Sequence, residues 1–200
     1  LHRAGVRSVQ PGIESLSSPV LRLMRKGVTA AQNVNTLRWA RYYGIEVGWN
    51  VLWGIPGETA EGQLVQAALF ADLVHLQPPD AEGRVWLERF SPLFREPAER
   101  FAARAPERSY RYVYPPSVDL DRLAYFFDYE LADGLPDETY DPLAKAAREW
   151  RQAWQDGATP RLEYRWTPGL LEVDDTRRPD RTGTHTVEGL PADIYVACAD

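Results

Sequence analysis

Two polar side chains lie in runs that otherwise look built for packing. Glu14 comes near the end of VRSVQPGIE, and Asn50 lies inside GWNVLWGIPGET. A carboxylate that ends a strand's polar face, close to Gly12, is suited to a ligand's hydroxyl or ammonium groups, or else to a cap or salt bridge. An amide among bulky strand residues is either a ligand contact or a satisfied core polar group. Gly48 and Gly54 flank Asn50, and strand glycines often mark close approach of another group. Lys26 closes LRLMRKG, where it either complements a helix C-terminus or reaches an anion. The loop GIPGET is a tight turn before a helix start, whose free N–H groups suit a carboxylate. Conventional reactive groups are missing from the sequence. His2, His75 and His185 have no metal-ligand spacing, Cys198 is solitary, and neither GxxxxGKS nor GxSxG occurs.

The elements that would position these groups can be read from periodicity. Val6–Glu14 sets Val9 and Ile13 against Gln10, Gly12 and Glu14, which reads as a strand with one apolar and one polar face. Ser18 is expected to cap a helix with Pro19 at its first position, Val20, Leu21 and Met24 as its stripe, and Gly27 as its stop. Thr29 and Gln32 form a capping box for a second helix ending at Gly44. Glu46–Gly54 puts Val47, Trp49, Val51 and Trp53 on one face and Gly48, Asn50 and Leu52 on the other. A helix from about Ala60 to Leu76 follows, then a turn-rich linker, QPPDAEG, and a third strand over Val85–Ser91. The faces taken by Glu88 and Arg89 stay open at this level.

Beyond Pro97 the pattern changes. YRYVYPP reads as extended, Asp119–Ala132 and Asp137–Trp154 as helices, and Leu162–Trp166 with Leu170–Val173 as a hairpin. DDTRRPDRTG reads as a charged, mobile stretch before a last short strand and a helix start. Two strand–helix repeats imply a parallel sheet whose loops after the strands carry the chemistry. The expected fold class is therefore α/β, with residues 1–96 as one unit and 97–200 as a mostly helical second unit with a small hairpin, cut short at its end.

Composition narrows the field. The chain has 200 residues, 44% hydrophobic and 26% charged, enough for a packed core. A net charge of −6 disfavours nucleic acid as a general partner. The apolar runs are too short to span a bilayer. One cysteine excludes a disulfide framework, which suits a cytoplasmic protein.

GIES followed by VLRLMRKG resembles the fourth strand and helix of a radical S-adenosylmethionine (SAM) barrel, and NVLWGIPGET resembles its fifth strand. RFSPLF is similar to the sixth. The resemblance implies the C-terminal half of a partial (β/α)6 barrel. It also implies that Glu14 meets the SAM ribose and Lys26 its carboxylate, that Asn50 binds the ribose, and that Leu52 touches adenine. Gln10 and Gly54 join them as expected cofactor contacts, with Glu88 and Arg89 toward substrate. The longer runs QPGIESLSSPVLRLMRKGVTAAQN, YYGIEVGWNVLWGIPGET, HLQPP, ERFSP, YRYVYP, AYFFDYEL and DIYVAC resemble maturation enzymes of ribosomally synthesised peptides, of the cobalamin-dependent radical SAM C-methyltransferase type. That resemblance implies a precursor-peptide substrate and methylation at an unactivated carbon by methylcobalamin, after a 5′-deoxyadenosyl radical has removed hydrogen. Epimerisation or cross-linking, or a catalytically silent peptide-binding module, are the alternatives.

The chain departs from this pattern in two respects. Radical SAM proteins hold a 4Fe–4S cluster through C-x-x-x-C-x-x-C, because thiolates ligate such clusters. That motif and a cobalamin-binding domain are both missing from this sequence. Both are expected upstream of Leu1, so the 200 residues alone are expected to be inactive, with no metal ligands of their own.

Overall fold

The computed structural model describes residues 1–157 and 159–198. After a short 3-10 turn, β1 (Ser8–Val9) leads to α1 (Ser18–Leu23) and α2 (Ala30–Tyr42). β2 (Glu46–Val47) and β3 (Asn50–Trp53) follow, then α3 (Ala60–Leu73) and β4 (Ala81–Arg84). β1 pairs with β2 in parallel, and β3 pairs with β4 in parallel, with Asn50 opposite Ala81 and Trp53 opposite Arg84. The parallel pairing required by strand–helix repeats is therefore present. No barrel closes: among the described residues β1–β2 and β3–β4 are two separate two-stranded parallel sheets, linked where the chain runs from β2 into β3.

Both expected strands are less regular than period-two alternation predicts. Gly48 N–H bonds Val9 O at 3.0 Å, yet Asn50 N–H bonds Ile13 O at 3.3 Å. Two residues of the second strand thus face four of the first, and Gln10, Pro11 and Gly12 loop out, with Gly12 at φ +72. Pro11 has no N–H for the ladder and Gly12 readily takes positive φ, so the bulge falls where the sequence tolerates it. The second strand breaks at Gly48–Trp49, where Asp80 intervenes: its carboxylate accepts from Trp49 N–H at 3.1 Å, and its own N–H bonds Trp49 O at 2.7 Å.

One core lies on the helix side of this sheet. Val47, Trp49 and Val51 meet Leu37 and Ala40 of α2 and Phe70 and Leu73 of α3. α6 (Asp141–Gln155) completes it with Leu143, Ala147 and Trp150. Trp49 stands edge-on to Trp150 at 5.7 Å, and Phe70 to Trp150 at 5.3 Å. Three indole N–H groups pin the connection after α3: Trp154 donates to Val74 O, Trp150 to Leu76 O and Trp49 to Gln77 O. Burying such rings stabilises by roughly 2 kcal/mol each, and each indole also satisfies a carbonyl that no strand or helix uses.

The rest of the chain is less helical than the sequence suggests. β5 (Leu87–Glu88) leaves the parallel sheet and pairs antiparallel with β7 (Phe126–Leu131), which also pairs with β6 (Phe101–Pro106). Four expectations are corrected here. The third parallel strand is Ala81–Arg84 and not Val85–Ser91, so part of the expected linker is strand. YRYVYPP forms a helical turn, α4 (Tyr110–Val113), and Asp119–Ala132 yields only one helical turn, α5 (Leu120–Leu123), before turning extended. The aromatic run FFDYEL prefers the pleated surface, where Phe127 and Leu131 enter a second core with Leu87, Leu93 and Ala124.

The hairpin is confirmed as β8 (Leu162–Thr167) and β9 (Leu170–Asp175), and β10 (Gly183–Glu188) extends it to three antiparallel strands. α7 (Leu190–Ala197) follows. The stretch expected to be mobile is tied down. Arg177 chelates Asp175 and donates to Asp72 O at 2.8 Å, and Arg178 pairs with the Asp72 carboxylate. No helix among the described residues is long and apolar enough to cross a membrane.

Candidate functional site

The C-terminal ends of the parallel strands open onto a cleft of about 580 Å3. Glu14 and Lys26 face each other across one wall, Lys26 Nζ to Glu14 Oε2 at 2.7 Å, each side chain about 30% exposed. Ile55 and Pro56 of the GIPGET loop line the same cleft, as do Val85 and Trp86 just past β4.

Each wall has a local cause. The segment after Glu14 is fixed by a buried polar network: Ser15 Oγ and Leu16 N–H both donate to Gln66 Oε1 on α3, and Asn33 Nδ2 of α2 donates to Ser15 O. Ile13 is thereby locked in the core while Glu14 is left at the cleft. α1 starts one residue earlier than expected, with Ser17 as its cap and Pro19 in its first turn. Its exit bends through Arg25 at φ +57, and Lys26 comes to rest over Gly12, where an added Cβ would sit 3.8 Å from Nζ. Arg25 crosses to Glu96 at 3.1 Å and closes one end. Arg22 lines the cleft without an ion-pair partner among the described residues, which leaves spare positive charge there.

Asn50 and Leu52 alternate with buried Trp49 and Val51, and so take the opposite face of the strand. The Asn50 amide has no hydrogen-bond partner among the described residues. Neither it nor Leu52 lines the cleft itself, whose nearest strand-end residues are Ile55 and Pro56. Gln10 is exposed on the bulge. Gly54 is buried at φ +79, and a Cβ there would meet Arg84 Cγ at 2.9 Å, so this glycine makes room for an arginine side chain. Gly48 does the same for Asp80, with Oδ2 at 3.2 Å from an added Cβ. Glu88 and Arg89 lie apart from the cleft. Glu88 accepts from Tyr125 OH at 3.4 Å, and Arg89 donates to the backbone carbonyls of Ala124 and Asp121.

Sequence reasoning missed Glu58. Its Oε2 accepts from Gly54 N–H at 2.9 Å and from Tyr140 OH at 3.0 Å, bracing the loop whose Ile55 and Pro56 line the cleft. Oε1 is buried without a partner, as is Gln63 Oε1. Burial pushes the Glu58 carboxyl above its ordinary range, against the opposing pull of those donors. The available signal was a carboxylate between Gly57 and Thr59, the residue that caps α3.

These residues set a carboxylate, an ammonium and the guanidinium of Arg22 beside the apolar Ile55, Pro56, Val85 and Trp86. They do not fit an iron–sulfur cluster: the one cysteine, Cys198, is exposed beyond α7, and no group of His, Cys, Asp and Glu suited to a metal gathers among the described residues. Comparison with curated proteins returns no match, and neither does comparison with solved structures. Residues 1–67, which carry Glu14, Lys26, Asn50, Leu52, Gly54 and Glu58, match the family model of the Radical SAM superfamily.

Proposed function

We propose that this chain supplies SAM-binding walls of a radical SAM enzyme that modifies a ribosomally synthesised peptide in the cytoplasm. In this reading its sheet is the C-terminal half of an open (β/α)6 barrel. The observation that carries the reading is the Glu14–Lys26 pair at the open end of the parallel sheet, inside the matched segment. Glu14 would accept from ribose hydroxyls, Lys26 would meet the methionyl carboxylate, and Ile55 with Pro56 would exclude water beneath the adenine. Bound there, SAM supplies a methyl group or a carbon radical. The cluster thiolates and the cobalamin site would be supplied by residues other than these. C-methylation of an unactivated peptide carbon is the reaction we assign.

Titration calorimetry of the full-length enzyme with SAM tests the site. Glu14→Ala should weaken SAM binding about tenfold or more, since an unpaired buried polar partner costs about 1–3 kcal/mol. Unchanged affinity in a folded variant would return Glu14 to a salt-bridge role. Mass spectrometry of candidate precursor peptides incubated with the full-length enzyme, cobalamin and methyl-labelled SAM tests the reaction. Label on a peptide carbon supports methylation, while solvent hydrogen at an α-carbon or loss of two hydrogens points to epimerisation or cross-linking. The single cysteine favours a second reading, a peptide-presenting module without turnover, for which peptide binding without SAM binding is the signature.

A further inference from the structure

A second cleft, of about 680 Å3, opens where the chain passes from the parallel sheet to the antiparallel one. Gly83–Leu87 forms one side, and Phe126–Tyr129 of β7 with Glu107 forms the other. Its walls are aromatic. Trp86 is 71% exposed and stands at 90° to Phe126, ring centroids 5.5 Å apart. A large indole left open on a cleft wall is a surface the fold itself has not used.

Its charge is negative. Glu107 N–H bonds Phe126 O at 3.0 Å, which sets the residue beside β7, and Asp128 follows two positions along that strand. Both carboxylates are held by uncharged donors. Asp128 Oδ2 accepts from Arg108 N–H at 3.1 Å, and Glu107 accepts from Ser109 N–H at 3.2 Å and from Ser109 Oγ. Neither has an ion-pair partner among the described residues. The one basic residue on the lining, Arg84, is already committed to Asp137. Two carboxylates without counter-ions beside open aromatic faces match a cation on an apolar stem, which gains cation–π attraction and charge-assisted hydrogen bonds together.

We propose that this cleft docks a lysine or arginine side chain of a peptide, flanked by apolar residues. The proposal rests on the peptide-substrate reading above and names the chemistry of that substrate. Val85 and Trp86 line both clefts, so a peptide anchored in the second has its neighbouring residues carried over Trp86 toward the first. Glu107 and Asp128 therefore select and position substrate and take no part in the reaction.

Fluorescence anisotropy with labelled short peptides, identical except for a central arginine, citrulline or glutamate, tests this. The arginine peptide should bind about tenfold more tightly than the citrulline peptide. Asp128→Lys should abolish that preference and favour the glutamate peptide, and Asp128→Asn provides a milder variant should the reversal disturb folding, which circular dichroism monitors. Equal binding of arginine and citrulline peptides, binding of neither, or an unchanged preference in the folded Asp128 variants would overturn the proposal. SAM titration of the same samples separates the two readings. Arginine preference without SAM binding removes the SAM assignment alone, and SAM binding without arginine preference removes this one alone.

Discussion

Glu58 buries a carboxyl group that accepts from Gly54 N–H and Tyr140 OH and leaves Oε1 without a partner. Burial is the first cause of its raised pKa, so the folded chain holds a proton more tightly than the unfolded one. Its contribution is then fully present below the ordinary carboxylate pKa and is lost as pH rises through the folded value. Glu58→Gln keeps an acceptor for both donors and removes the charge. The expected outcome is a melting temperature at pH 7 equal to or above the native one, with a flatter profile above pH ~4.5. A lower melting temperature at pH 7 would show that the ionised form stabilises the loop. The Glu14–Lys26 pair behaves differently. With both side chains about 30% exposed, it is largely screened. Pairs of this kind contribute about 0–1 kcal/mol, so a ligand's hydroxyls and carboxylate can replace the mutual contact at small cost.

Gly54 is where the end of β3, the GIPGET loop and β4 come together. At φ +79, with an added Cβ 2.9 Å from Arg84 Cγ, Gly54→Ala has to distort the backbone or displace the arginine from Asp137. A loss of about 2 kcal/mol in urea unfolding is expected, from left-handed strain and the lost packing. Weaker SAM binding should accompany it, because Ile55 and Pro56 move with the loop. A variant as stable as the native chain would mean that Arg84 swings aside freely. The same junction explains which elements were legible in the sequence. The run from β2 through β3, together with α2 and α3, carries its own signals: alternation of Val47, Trp49 and Val51, the Thr29–Gln32 capping box, and an N-cap threonine. The strand Ala81–Arg84 carries none, since Ala-Glu-Gly-Arg has no apolar face, and only pairing with β3 makes it a strand. β7 was misread because Leu120, Leu123, Phe127 and Leu131 also fit a helical stripe, and its sheet partners, β5 and β6, lie 20 or more residues upstream. In the site, Glu14 and Lys26 stand out through the resemblance of GIES and VLRLMRKG to a known family, since their neighbours alone leave a cap or a salt bridge open. Glu58 could not, because the hydroxyl that defines its role belongs to Tyr140, 82 positions later.

Across the whole molecule, residues far apart in sequence share one core, with Trp150 of α6 against Trp49 and Phe70. The antiparallel sheet β8–β10 is tied to α3 through Arg177, Arg178 and Asp72. His75, just past α3, lies under that attachment. Its Nδ1 is buried without a partner, and burial, followed by the Arg177 charge, lowers its pKa to about 4. Arg41 pushes the same way, while Asp175 and the Asp72 backbone oppose. The folded chain therefore excludes a proton that the unfolded chain binds below the ordinary histidine value of 6.5. Stability from this group is complete above that pH and falls as pH drops toward 4. Asp175, held at about 2 by Arg177, begins to lose its contribution only below its ordinary 3.8, so between 6.5 and 3.8 the loss on acidification comes from His75 and is opposed by Glu58, whose contribution grows as pH falls. With Glu58→Gln removing the opposing carboxyl, melting temperature should decline steadily across that interval, and adding His75→Gln, which cannot acquire charge, should flatten the decline. Because the strain falls on one attachment, hydrogen exchange at pH ~5 should accelerate in Leu170–Glu188 before it does in Ala60–Leu73. An undiminished slope in the glutamine variant would assign the acid sensitivity elsewhere. Simultaneous exchange of both segments would mean that the β8–β10 sheet does not open by itself but unfolds with the core.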